Sequence, residues 1–259
     1  MHMSEFSSYP AGTPSWVDLA SPDPAASNAF YATLFGWEAD DQGPDTGHYV
    51  VFRKQGKMVA GSSLMMMDGQ PPAWTTYVGV DDADATVDLA KKAGAMVLVE
   101  PMDVMDLGRM AVFTDPTGAA LAVWQPKAHK GAELANEPGT FCWNELDTRD
   151  IPAAKSFYTD VFGWQPNDME MNGSTYTEWK LGDAPIAGMM AMPTMVPAEV
   201  PAYWLVYFAV ENCDATLSKA AGLGATTLVP ATDIPPGRFG VLSDPAGTVF
   251  AVIETSSPA

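Results

Sequence analysis

"FYATLFGW", residues 30–37, reads as the close of an amphipathic helix, a glycine stop and the entry into a strand. The chain repeats its ends letter for letter, with three changes between them, as "FYTDVFGW" at residues 157–164. Each copy lies downstream of a Trp-x-acid-Leu segment, "WVDL" at 16–19 and "WNEL" at 143–146. The same helix end at the same distance from the same strand marks an internal repeat, which is established before single elements are assigned.

The repeat runs almost end to end. Trp16 and Trp143, Phe30 and Phe157, Tyr49 and Tyr176, and Gly61 and Gly188 each stand 127 residues apart. The offset becomes 130 for Trp74 and Trp204, for Tyr77 and Tyr207, and for "VDDADATVDLAKKAGA" (80–95) against "VENCDATLSKAAGLGA" (210–225). It settles at 129 for Arg109 and Arg238 and for "TDPTGAALAVW" (114–124) against "SDPAGTVFAVI" (243–253). The chain therefore reads as a tandem duplication. A first domain covers 13–125, a Pro- and Gly-bearing linker 126–139 and a second domain 140–255, behind a disordered or tag-derived tail at 1–12.

Within each half the local code predicts an α+β fold. "SWVDLA" alternates like a strand; Asp23 and Pro24 then start a helix whose apolar Phe30, Leu34 and Phe35 share one face, and Gly36 stops it. "HYVVFRK", "KMVAGSSLM" and "TTYVGV" are β-like, "DADATVDLAKKAGA" is a helix closed by Gly94, and "AMVLVE", "MAVFT" and "AALAVW" are strands. "DPTG" and "DPAG" are turn sequences between the last two strands of each half. Each half thus holds two βαβββ modules.

Bulk properties narrow the function classes. With 259 residues, 47% of them hydrophobic, the chain can bury a substantial core. No apolar run approaches the roughly 20 residues that cross a bilayer, and residues 1–15 lack a signal peptide's basic start and apolar centre, so a cytoplasmic protein is expected. A net charge of -19 disfavours nucleic acid and anionic membranes as partners, and slows capture of anionic substrates. Cys142 and Cys213 occupy unrelated places in the repeat, which suggests neither a disulfide framework nor a Cys-based metal cluster.

Two βαβββ modules per half, a helix ending in FY-x-x-x-F-G-W and a D-P-x-G turn before the last strand resemble the vicinal oxygen chelate superfamily. It includes glyoxalase I, bleomycin resistance proteins and extradiol dioxygenases. The similarity covers roughly 13–125 and 140–254, and is greatest to two-domain, hydroxylase-like proteins of actinobacteria. It implies a strongly curved mixed sheet in each half, helices outside, and a ligand cavity on the concave face. Metal-dependent members take ligands from the first strand of each module and the last strand of the domain. By resemblance those positions are Trp16, Thr75 and Ala122 in one half, and Trp143, Leu205 and Ala251 in the other. None offers an imidazole or a carboxylate, and of the three histidines His2 is in the tail, His129 in the linker and only His48 in a predicted strand. No metal and no cofactor are expected, which weighs against a glyoxalase-like lyase or a dioxygenase.

Strand alternation places Asp18 on the face of Trp16, and Glu145 on the face of Trp143. Tyr77, Tyr207 and Trp124 share the faces of the lost ligand positions. Met65, Met66 and Met67 in one half, and Met189, Met190 and Met192 in the other, are either adaptable cavity walls or packing filler. The Trp and Tyr residues read as cavity lining or as core. Arg109 and Arg238 read as turn-anchoring ion pairs or as groups for a ligand carboxylate, and His48 beside Tyr49 as a surface residue or a ligand contact. A carboxylate facing an aromatic cavity should have a raised pKa, which suits a general acid or base; pairing with a nearby Arg or Tyr is the structural alternative.

Two functions follow. One is metal-independent binding of a small aromatic or apolar metabolite, as in bleomycin resistance proteins. The other is a metal-independent enzyme in which Asp18 or Glu145 moves a proton. Differences between equivalent positions, Asp18 against Glu145, His48 against Thr175 and Trp124 against Ile253, predict unequal cavities. A monomer or a homodimer is expected.

Overall fold

The computed structural model describes residues 4–65, 69, 71–171 and 173–256. The first half runs β1 (Pro14–Ser21), α1 (Pro24–Phe35), β2 (Glu38–Asp41), β3 (Val50–Lys54) and β4 (Lys57–Leu64). It continues as β5 (Ala73–Gly79), α2 (Ala83–Lys92), β6 (Met96–Val104), β7 (Gly108–Thr114) and β8 (Ala120–Pro126). The second half repeats the order: β9 (Phe141–Thr148), α3 (Ile151–Phe162), β10 (Gln165–Met171), β11 (Ser174–Leu181), β12 (Ala184–Ala191), then β13 (Tyr203–Ala209), α4 (Cys213–Gly222), β14 (Thr226–Ile234), β15 (Gly237–Ser243) and β16 (Val249–Thr255). Each half is one eight-stranded mixed sheet, ordered β2-β3-β4-β1-β5-β8-β7-β6 and β10-β11-β12-β9-β13-β16-β15-β14. The two βαβββ modules of a half join through an antiparallel pair, β1 with β5 and β9 with β13.

Local chemistry accounts for the helix limits. The Asp23 carboxylate accepts from Ala26 N, Pro24 sits in the first turn, and Gly36 closes α1 at φ 72°, a left-handed position that favours glycine. Asp150, Pro152 and Gly163 do the same for α3. Among the described residues no helix is long and apolar enough to cross a membrane.

The helices lie outside their own sheets, and the opposite half covers them. α1 packs with Phe208, Leu217 and Phe250 of the second half in one core cluster, whereas α3 packs with Val87, Phe113 and Leu121 of the first half in another. The repeated motif is what crosses over. Tyr31 donates to Asp244 Oδ2 at 3.0 Å, and Trp74 Nε1 donates to the Tyr31 hydroxyl at 3.0 Å. Tyr158 likewise donates to Asp115 Oδ2 at 2.8 Å and receives Trp204 Nε1 at 3.0 Å. Trp37 Nε1 donates to Gly139 O at 2.6 Å and Trp164 Nε1 to Gly12 O at 2.7 Å, each carbonyl standing before the other half's first strand.

Asp115 and Asp244, the acids of the D-P-x-G turns, hold their own turn amides with one oxygen and the opposite half's tyrosine with the other. Leaving such a buried acceptor unpaired costs about 1–3 kcal/mol. The FY-x-x-x-F-G-W segment therefore occurs twice because each copy clasps the other half.

The linker does not simply span the halves. Ala132 N donates to Ser15 O, Glu133 N to Met58 O and Ala135 N to Ser4 O, while Leu134 bridges Glu5. Residues 4–12 thus lie along the linker and the sheet, where a disordered or tag-derived tail was expected. The apolar Phe6, stacked on Tyr9, is what ties them down.

Candidate functional site

The concave face of each sheet collects the predicted aromatic and acidic side chains. In the first half Trp16 Nε1 donates to the Tyr49 hydroxyl at 3.1 Å, and the Tyr49 and Tyr77 hydroxyls donate to Asp18 Oδ2 at 3.4 and 2.9 Å. In the second half Trp143 Nε1 donates to the Tyr176 hydroxyl at 2.9 Å and Tyr207 donates to Glu145 Oε1 at 2.8 Å. A glycine permits each arrangement. Gly61 pairs in register with Asp18, and a Cβ there would stand 1.8 Å from the Tyr49 hydroxyl; Gly188 pairs with Glu145, and its Cβ would stand 1.9 Å from the Tyr176 hydroxyl.

Electrostatics follow from the surroundings. Burial pushes the Asp18 carboxyl up to about 6, offset by the Tyr77 and Tyr49 hydroxyls. Asp18 is nonetheless half-buried and keeps some contact with solvent. Glu145 is pushed up by burial, offset by Tyr176 and Tyr207. Its neighbour Asp147, 3% exposed, rises to about 7 through burial first and the Glu145 charge second, with the Tyr203 hydroxyl opposing.

Asp147 lies two residues beyond Glu145 on β9 and therefore on the same face. It pairs with Met190 on β12 and Tyr203 on β13. Its Oδ1 is buried and has no hydrogen-bond partner among the described residues. The alternation that singled out Glu145 reaches Asp147 directly. Matching the repeats hides it, because the equivalent first-half residue is Ala20.

The two recesses differ above this floor. His129, from the linker, packs edge-on against Trp16 and Trp124, with ring centroids 4.5 and 5.5 Å away, and Trp124 Nε1 donates to the His129 carbonyl at 2.9 Å. Burial holds the His129 ring down to about 4, against a small opposing effect of Glu133, so it is neutral at pH 7. Trp16 is consequently buried, whereas Trp143 is half-buried beside the half-buried Tyr176, Tyr203 and Phe239. The equivalent of Trp124 is Ile253, which packs with Leu205, Tyr207, Val241 and Ala251 in a small apolar cluster touching Trp143. No sequence signal marked His129, since it stands outside the repeat.

Other candidates lie elsewhere. Arg109 forks onto Asp84 at 2.6 and 2.9 Å, and Arg238 onto Asp214 at 2.7 and 3.1 Å with Asp233 beside it, so both anchor helix starts at the surface. His48 is exposed, outside β3, at φ 60° and 2.9 Å from Asp41; the turn at Pro44–Thr46 carries it out of the strand in which it was expected. Met189 pairs with Leu146 and is buried between the halves with Phe157 and Tyr158; Met190 has the concave place instead. Met65 is half-buried, its amide donating to Ser21 O. Met66 and Met67 lie outside the described residues.

The metal that such folds often hold does not fit this donor set. Trp16 and Ala122 both pair with Tyr77, and Trp143 and Ala251 both with Tyr207, so the first-strand and last-strand ligand positions of each half do converge. They bring indoles and methyl groups in place of imidazoles and carboxylates. Among the described residues no three His, Cys, Asp or Glu side chains form a metal-holding group.

Known proteins share this arrangement. Residues 13–123 and 141–252 match the Glyoxalase/Bleomycin resistance protein/Dioxygenase superfamily. The chain is 44% identical to "Putative glyoxylase CFP32" of Mycobacterium tuberculosis, over 97% of this chain and 98% of that protein. It is 42% identical to "Anthracycline biosynthesis protein DnrV" of Streptomyces peucetius, over 94% and 93%. Among solved structures, the Mn(II)-bound glyoxalase from Novosphingobium aromaticivorans superposes with a TM-score of 0.64 at 20% identity, covering 96% of this chain and 86% of that one, a likeness of fold alone. With both halves matched and a full-length relative at this identity, the chain belongs to the Glyoxalase/Bleomycin resistance protein/Dioxygenase superfamily.

Proposed function

We propose that the protein binds a small aromatic or apolar metabolite, without a metal, in the recess of its second half. The observation that carries this reading is the half-buried Trp143, set over a floor of Tyr176, Glu145 and Tyr207 where a metal-dependent relative would place its ligands. An indole wall, phenol hydroxyls and the adaptable Met190 suit a flat ligand with few polar handles. The name of DnrV is consistent with such a ligand, since anthracyclines are flat polycyclic aromatics.

A second reading has its own support. Two neighbouring carboxyls raised by burial can hold a single proton near neutral pH, and such a pair can serve as acid and base on one bound molecule. Asp18, raised to about 6, offers a lesser version in the first half.

Mass spectrometry of compounds captured by the full-length protein from an extract, before and after prolonged incubation, separates the two. Binding predicts a compound recovered with unchanged mass, with capture weakened about tenfold or more in Trp143→Ala and less in Trp16→Ala, where His129 already covers the indole. Conversion to a second mass, lost in Glu145→Gln, makes the protein an enzyme and overturns the binding reading.

A further inference from the structure

The second half carries one polar group that this reading leaves unused. Asp147 is 3% exposed, its Oδ1 meets no donor among the described residues, and it shares a face with Glu145. An unpaired buried acceptor costs about 1–3 kcal/mol, and the cost is greater when a second acid lies alongside. The groups facing it from neighbouring strands are Met190 on β12 and Tyr203 on β13, with Tyr176 and Tyr207 around Glu145. None is a cation. Arg149, two residues on, is exposed and donates to the carbonyls of Val196, Pro197 and Val200.

We infer that the second-half recess recognises a protonated organic amine, with Asp147 Oδ1 as the acceptor for its N–H. This rests on the binding reading above and names the polar handle of the ligand. Three features converge on a cation. Asp147 and Glu145 form an acid pair faced by no counter-charge among the described residues, so a bound ammonium supplies both the missing charge and the missing donor. Trp143, Tyr176 and Tyr203 set aromatic rings beside the pair, the surroundings that stabilise ammonium groups. The protein's charge of -19 favours the approach of cations and opposes that of anions.

The first half keeps the tryptophan, the tyrosines and one acid, but lacks the second acid and its strand neighbours. Ala20 stands for Asp147, Ser63 for Met190 and Ala73 for Tyr203. The half-buried Tyr203 pairs with Asp147 in register and its hydroxyl acts on the carboxylate, so the ligand shares Asp147 with it.

Calorimetric titration of the full-length protein with matched probes tests the assignment. Tryptamine, 2-phenylethylamine and 1-naphthylmethylamine are each compared with the alcohol that replaces the amine by a hydroxyl. The expected result is a preference of about tenfold or more for the amine of at least one pair. That preference should vanish in Asp147→Asn and persist in Asp233→Asn, which removes the same charge from an exposed ion pair on β14. Glu145→Gln, with Asp147 intact, should reduce the preference without abolishing it.

Amines and alcohols binding equally, with binding still weakened by Trp143→Ala, would overturn the amine assignment and leave the binding reading standing. A preference that survives Asp147→Asn would overturn it too. If no probe binds below about 1 mM, roughly the weakest affinity worth assigning to a site, both readings fall together.

Discussion

The two concave faces share a floor and differ in what stands above it. Each has a tryptophan, a tyrosine at or just before the third strand of its first module, a tyrosine from the first strand of its second, and one acid, linked by the same hydrogen bonds. In the first half the linker's His129 closes over Trp16 and Trp124. In the second, Ile253 replaces Trp124, and Asp147 and Tyr203 extend the polar floor. Duplication produced two matching faces, and the chain joining the halves covers the first with His129. The clasp between the halves stayed symmetrical, because each tyrosine and each turn acid needs its opposite number for burial to be tolerable.

The largest effect expected to sharpen this contrast is on stability against pH. Asp147 rises from its ordinary carboxyl value to about 7 on folding, so its stabilisation is fully present below about pH 4 and is lost as pH climbs through 7. Glu145, Tyr176, Tyr203 and Tyr207 face it, with Arg149 at the edge. His129 runs the other way. Its value falls to about 4, so its contribution is present above pH 6.5 and lost as pH drops through 4, up to about 3 kcal/mol. Denaturant unfolding from pH 4 to 8 should therefore show the stability advantage of wild type over Asp147→Asn shrinking with rising pH, and that over His129→Ala growing. Parallel curves for the two variants would break the comparison.

A smaller effect concerns stoichiometry. His129→Ala removes two edge-on aromatic contacts, about 1–3 kcal/mol at pH 7, and uncovers Trp16. If the linker is what separates the two faces, the variant should bind a flat aromatic probe at two sites where wild type binds at one, as calorimetry would count. A count unchanged in His129→Ala would mean that the missing Asp147 and Tyr203 equivalents, and not the plug, disable the first half.

Much of this was legible in the sequence. The offsets of 127, 130 and 129 fix which strands correspond, and period-two alternation suffices to put Trp16 with Asp18 and Trp143 with Glu145. The remainder depends on contacts between elements far apart in sequence. Nothing local in "FYATLFGW" says that Tyr31 will meet Asp244 or that Trp37 will meet Gly139 across the molecule. His129 was set aside because it lies in a linker, and the path of a linker follows from backbone pairing with Ser15 and Met58 that no pattern announces. Asp147 was hidden by the repeat itself, since comparing halves favours shared residues over the one that diverged. Of the methionines read as walls or filler, Met189 is filler and Met190 faces the cavity side, because a single step along a strand exchanges the two faces.

The arginines set the lower bound of the comparison. Arg109 and Arg238 are equivalent, each forks onto the second residue of the helix in its own module, and each does so at the surface. They belong to what duplication preserved and not to what it changed. A surface ion pair contributes about 0–1 kcal/mol, rising toward the upper end for a two-pronged guanidinium–carboxylate contact. Arg109→Ala and Arg238→Ala should therefore each lower stability only slightly, by similar amounts, and lose that difference at high salt as screening weakens the pair. Ligand capture should stay within about twofold of wild type in both. A large loss of capture in Arg238→Ala alone would put the guanidinium at the mouth of the second recess, reachable by an anionic ligand group, and would turn the charge argument for a cationic ligand against itself.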